Sequence, residues 1–259
     1  MSIGVSTSCY YPLATELSLE KIALLGTGTC EIFFNSFSEL EKPFLDELCR
    51  IKDAHGIRVP SVHPFFSFAE PYLLFSEYER RFWDTVELYK KYFEAANTLG
   101  AKILVLHGGK ESNTVHEELY FERFAKLLEV GKEFGVTTAQ ENVVHYRSQS
   151  PDFLMRMRTF MGDDLKVVLD IKQALRAGYS PFAFIELLKN TIAHIHISDS
   201  NSQYDCIPPG EGHFDFGRLF AEMDALGYNG DHIIELYRHS FESDAQITES
   251  RLYVERLMA

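Results

Sequence analysis

The sequence predicts an α/β protein built as a single (β/α)8 barrel over residues 1–259. Three observations predict it. Short apolar, β-branched runs alternate from end to end with segments of helical periodicity. Glycines stand where helical runs stop and strand-like runs begin. The length, 259 residues, matches eight β/α units.

The strand-like runs come in order at 3–8 (IGVSTS), 30–34 (CEIFF), 58–63 (RVPSVH) and 102–107 (KILVLH). Four more follow at 136–142, 165–171, 192–199 and 232–237. They are apolar without strict alternation, the pattern of strands covered on both faces of a parallel sheet. Between them, apolar residues recur at helical steps: Leu40, Phe44, Leu48 and Ile51; Phe82, Val86, Tyr89, Phe93 and Ala96; Phe216, Leu219, Met223 and Leu226. A last helix is expected to bury Ile247, Val254 and Leu257. These stripes are read as core. Gly100, Gly135 and Gly227 are placed as C-terminal helix stops. The aromatic stretch at 60–80 is long for a βα loop; it either covers the barrel mouth or packs on the third helix.

Composition narrows the function. A chain with 46% hydrophobic and 24% charged residues is an ordinary globular protein. A formal net charge of −13 argues against a nucleic-acid partner, whose phosphates demand a basic face. No apolar run approaches the ~20 residues that span a bilayer, so no membrane association is expected. The start, MSIGVSTSCYYPL, lacks a basic segment before an apolar one, and a cytoplasmic location is expected. Cys9, Cys30, Cys49 and Cys206 show no C-x-x-C spacing and are read as reduced, structural thiols.

Four residues carry the chemistry. Glu141, Asp170, His196 and Glu235 lie at the downstream ends of the last four strand-like runs, separated by 29, 26 and 39 residues. Each gap accommodates a loop and a helix. An acid after one apolar run means little, since strands end where polar loops begin. Four such residues on consecutive strands converge on one point of a closed barrel, at the strand C-termini where barrel active sites lie. Leu169, Ile195 and Ile234 directly precede three of them, and a buried acid must be paired, neutralised or metal-bound. Three carboxylates and an imidazole, with no thiolate, form a ligand set for one divalent ion: Mn, Zn, Mg or Co. Such an ion, with open positions, would hold a hydroxyketone by its carbonyl and neighbouring hydroxyl and favour an enediolate. Glu141 and Glu235 would then take and return a proton as the catalytic pair. His63 and His107 end strands three and four and are expected, with Lys110 and Gln173, to contact substrate. Pocket shape around these residues, Phe65, Phe66 and Trp83 would set the choice of substrate.

LHGG at 106–109, Glu-Asn at 141–142, LDIKQALRAGYSP at 169–181, HIHISDS at 194–200, PPGEGHFDF at 208–216 and the final IIELY occur in that order. In these the chain resembles the xylose isomerase-like TIM barrels, the sugar isomerase/epimerase superfamily that also contains endonuclease IV. The resemblance covers essentially the whole chain. It implies one metal bound by Glu141, Asp170, His196 and Glu235, with the two glutamates as acid and base. It also implies a small carbohydrate substrate, a loop at PPGEGHFDF closing over the site, and a possible homo-oligomer. Two departures stand out. Gln173 replaces a histidine that many relatives carry three residues after the strand-six aspartate, and NSQYDCIPPGEG offers no arginine before PGxG. Both, with the missing Asp-x-His pair near 204–206, argue against the three-metal centre of an endonuclease IV-like phosphodiesterase. The expected activity is metal-dependent sugar, sugar phosphate or polyol-ketone isomerisation or epimerisation. Dehydration of an inosose-like ketone is the neighbouring alternative, and a non-catalytic sugar-binding barrel a more distant one.

Overall fold

The computed structural model describes residues 2–258. Eight parallel strands close into a barrel in sequential order, with the last pairing back onto the first. The strands are β1 (Ile3–Ser6), β2 (Cys30–Phe34), β3 (Ser61–Pro64), β4 (Ile103–Leu106), β5 (Thr137–Glu141), β6 (Val167–Asp170), β7 (Ile192–Ile197) and β8 (His232–Ile234). Only β2 matches its expected run; the others are shorter. The expected first strand, for example, turns into a 3-10 helix at Thr7–Tyr10, because the chain is already leaving the barrel at its mouth.

Side chains alternate across each strand, and the two faces differ in chemistry. Outward residues such as Leu104, Leu106, Val167, Leu169, Ile195, Ile197 and Ile234 pack against the helices in the main apolar core. Inside the barrel the apolar layer is small: Val105, Ala139 and Val168, with Ile103 beside them. Above and around it the interior is polar, with Glu31, Ser61, His63, Glu141, Asp170, His194 and His196 all buried. The register β6–β7 sets Asp170 directly beside His196. Gly4 has no side chain because a Cβ there would lie 2.6 Å from Ile233 Cδ1.

The helices bury most of the expected stripes, with Phe44 and Leu226 only partly buried against the core. Within Glu79–Leu99, Phe82, Val86, Tyr89, Phe93 and Ala96 are all buried, and Gly100 ends the helix at φ +83°. Gly135 and Gly227 likewise adopt positive φ, at +70° and +69°, a conformation glycine enters without the Cβ penalty. The C-terminal helix Asp244–Met258 buries Ile247 and Val254 but leaves Leu257 42% exposed, contrary to expectation. Trp83 is also turned outward, 45% exposed on Glu79–Leu99 with Lys126 over its ring. It is on the helix's solvent side, away from the barrel mouth. Among the described residues no helix is long and apolar enough to cross a membrane.

Candidate active site

The C-terminal mouth of the barrel opens into a cavity of about 400 Å³, lined among others by Phe33, His63, Phe65, His107, Glu141, Lys172, Gln173, Glu235 and Tyr237. The long segment after β3 divides its work. Phe65 faces this cavity, whereas Phe66 stacks on Tyr92 of the third large helix, ring centroids 5.6 Å apart. Both expectations for that segment are therefore met by adjacent residues.

Glu141, Asp170, His196 and Glu235 come together at the floor of the mouth, their nearest ligand atoms all within 4.8 Å of one another. His196 orients the group. Its Nδ1 lies 3.2 Å from Glu141 Oε1, 3.5 Å from Glu235 Oε2 and 3.7 Å from Asp170 Oδ2. Its Nε2 points the other way, 3.1 Å from Glu31 Oε2. Glu31 is fully buried and also accepts from Ser61 Oγ at 2.7 Å, with His194 Nε2 3.2 Å away. A carboxylate on the far nitrogen of a ligating imidazole fixes its tautomer and orientation. Sequence reasoning passed over Glu31. The available signal was one acid inside an otherwise apolar strand, Cys-Glu-Ile-Phe-Phe.

Local structure aims the rest. Asn142 clamps β5 to β6: its Oδ1 accepts from Asp170 N at 2.6 Å and its Nδ2 donates to Asp170 O at 3.0 Å. Asp170 Oδ1 caps the short helix Ile171–Arg176 by accepting from Gln173 N at 2.9 Å, so Oδ2 is left facing inward. His107 Nε2 lies 2.8 Å from Glu141 Oε2 and 3.0 Å from His63 Nε2. The Glu141 contact is close but not aligned as a hydrogen bond, leaving buried Oε2 without a hydrogen-bond partner. His63 Nδ1 lies 3.0 Å from the Pro64 carbonyl, which can only accept, so that nitrogen carries a proton. Gln173 Oε1 accepts from Val144 N at 3.2 Å while the side chain lines the cavity.

Lys110 is not brought to this cavity. Its backbone bridges to Tyr146 in antiparallel fashion, and it borders a separate surface depression with Pro71, Tyr72 and Asn113. Its place is taken by a residue the sequence reading did not single out, Lys172. The Lys172 Nζ sits 2.5 Å from Asp170 Oδ2 and 2.5 Å from Glu235 Oε2.

Charge governs this floor. Burial would raise the carboxyl of Glu141, but His107, His196 and His63 outweigh it and hold it well below the usual range. Glu31 is likewise lowered by His196 and His194 against its burial, and Glu235 by Lys172 and His196. Burial would lower His196, yet Glu31 and Glu235 raise it well above an ordinary imidazole. Lys172 is raised by Asp170, Glu235 and Glu141 despite its burial. Glu31, Glu141 and Glu235 are thus held ionised around a small volume and draw positive charge into it. Cys9 takes no part. Buried between Ile234 O and Leu236 N, its thiol is pushed up to about 12 by burial.

The loop motifs are structural supports. Gly108 of LHGG adopts φ +89°, and a Cβ there would lie 2.1 Å from Tyr120 Oη. Glu70, buried beneath that turn, accepts from Gly108 N at 2.6 Å and Tyr89 Oη at 2.7 Å. In the loop after β7, the Asp199 carboxylate accepts from the backbone N–H groups of Ser200, Gly210, Gly212 and Phe214 at 2.8–3.0 Å. PPGEGHFDF is thereby wrapped around one side chain.

A closed parallel barrel with imidazoles and carboxylates gathered at its C-terminal mouth defines the class. The chain belongs to the xylose isomerase-like TIM barrel family, whose model matches residues 19–257. Among curated proteins it is similar to L-ribulose-5-phosphate 3-epimerase UlaE of Escherichia coli, 24% identical over 224 residues, covering 79% of this chain and 74% of that one. Among solved structures it resembles a D-tagatose 3-epimerase-like protein, with a TM-score of 0.84, 25% identity, and coverage of 100% of this chain and 97% of the other. An L-ribulose 3-epimerase superposes with a TM-score of 0.79 at 16% identity, covering 100% and 95%. At that identity the likeness is one of fold.

Proposed function

We propose that this protein is a sugar isomerase or epimerase that moves a proton at a carbon next to a ketone. In this reading Glu141 and Glu235 are the proton-transfer pair, and Glu141, Asp170, His196 and Glu235 hold one divalent cation. The observation that carries it is the convergence of these four donors on the floor of a sugar-sized cavity. The epimerase relatives, which are named for ketoses and a ketose phosphate, support the reaction class.

The donor set fits the ion. It offers oxygens and one imidazole nitrogen, it is buried, and Glu141 Oε2 lacks a hydrogen-bond partner. When bound, the ion would act as a Lewis acid that makes a C–H beside a carbonyl more acidic. The protein's own groups do the rest. Glu141 and Glu235 are held ionised and so are competent as bases. His63, its ring stacked on Phe33 at 4.7 Å, and His107 offer imidazole nitrogens to substrate hydroxyls, and Gln173 offers its amide. Phe65 and Tyr237 supply apolar wall that limits water. Lys110 has no role in this site.

The test is α-proton exchange on a panel of ketoses in D2O, with Mn²⁺ supplied. Wild-type protein should wash deuterium into substrate without losing water from it, which separates epimerisation from dehydration. Glu235→Gln should lose at least ~100-fold of the exchange rate with unchanged circular dichroism. A variant that keeps full activity would refute the two-glutamate assignment.

A further inference from the structure

Lys172 sits where a lysine is unexpected among metal donors. The helix Ile171–Arg176 starts directly from β6, so Lys172 follows Asp170 by two residues and folds back over the barrel floor, only 4% exposed. Its ammonium lies 2.5 Å from Asp170 Oδ2 and from Glu235 Oε2. These are the same two oxygens that face His196 Nδ1, at 3.7 and 3.5 Å. Asp170 Oδ1 is committed to the backbone of Gln173. Two of the four donors therefore present their inward lone pairs to a cation that the chain itself supplies. A divalent ion using those lone pairs meets a like charge already bonded to them, and like charges repel strongly in a desolvated site.

We propose that Lys172 is a tethered cation that competes with the divalent ion for Asp170 and Glu235. It keeps the carboxylates compensated when no ion is bound, and it must release those oxygens for the ion to enter. The inference rests on the four-donor reading above. It goes further by assigning to one side chain the control of ion affinity.

The experiment is calorimetric titration of metal-stripped wild type, Lys172→Met and Lys172→Arg with Mn²⁺ at one pH and ionic strength. Thermal melts with and without the ion run alongside. Lys172→Met removes the charge while keeping a long apolar chain, and Lys172→Arg keeps the charge. The expected result is one ion per chain in Lys172→Met, at least tenfold tighter than in wild type, with Lys172→Arg no tighter than wild type. The melting temperature should rise more on Mn²⁺ addition in Lys172→Met than in wild type, because the uncompensated carboxylates gain more from the ion. A silent wild type beside a binding Lys172→Met would also support the competition. Equal or weaker binding by a folded Lys172→Met, at one ion per chain, would overturn it and leave the four-donor reading standing. No binding by any of the three would overturn both.

Discussion

Replacing Glu31 with glutamine tests whether the barrel interior beneath the site sets its chemistry. Glu31 does not line the cavity; it acts through His196, whose Nε2 is 3.1 Å from Glu31 Oε2 while Nδ1 faces the other three donors. Glutamine preserves size and can still accept from Ser61, but it removes the charge. A hydrogen bond to a charged group contributes ~1.5–3 kcal/mol. At about 1.4 kcal/mol per factor of ten, its loss should weaken Mn²⁺ binding by roughly 10–100-fold. The loss of one negative charge from the site acts in the same direction. The assay is calorimetric titration of stripped wild-type and Glu31→Gln protein, with a denaturant melt to establish that both are folded. Rate and ion affinity should fall together, and added Mn²⁺ should restore most of the rate. A folded Glu31→Gln variant that binds Mn²⁺ within about twofold of wild type would refute the argument that Glu31 orients His196.

Two further predictions concern stability. Gly108→Ala places a Cβ 2.1 Å from Tyr120 Oη at a φ of +89°; it should cost at least ~2 kcal/mol in urea denaturation, and a change under about 0.5 kcal/mol would contradict the strain argument. His232, buried with neither ring nitrogen hydrogen-bonded, is pushed down to about 3 by burial and by His194. The unfolded chain therefore takes up a proton that the folded one refuses. The stabilising term is complete above the ordinary value of 6.5 and is lost as pH falls towards 3. His232→Phe should gain about 2 kcal/mol relative to wild type between pH 8 and pH 5, and a constant difference across that range would refute the sign.

The barrel and the convergence of four donors at its mouth were legible in the sequence because they obey local rules. Periodicity of 2 or 3.6 marks buried strands and helices, and glycines such as Gly100 mark stops. Glu141, Asp170, His196 and Glu235 each end an apolar run, so their common address at the strand C-termini follows from chain order alone. The strands are shorter than the runs that announce them because the chain leaves the ladder before a run ends, as at Thr7, where it turns into a 3-10 helix. The last helix is apolar at Leu257, but its neighbours leave that position open to solvent.

What the sequence left undecided is whatever depends on which side chains meet across the barrel. Glu31 and His196 are 165 residues apart and become partners only because β2 and β7 face each other through the barrel interior. Lys110 and Lys172 are both lysines just beyond a strand end. Tertiary structure turned the first away through its bridge to Tyr146 and drew the second inward between Asp170 and Glu235. The sequence by itself determined the fold and where the four donors gather, since both are written in local hydrophobic pattern and connectivity. Only the tertiary structure decided which cation serves the carboxylates, because a buried charge chooses its partner by proximity in space.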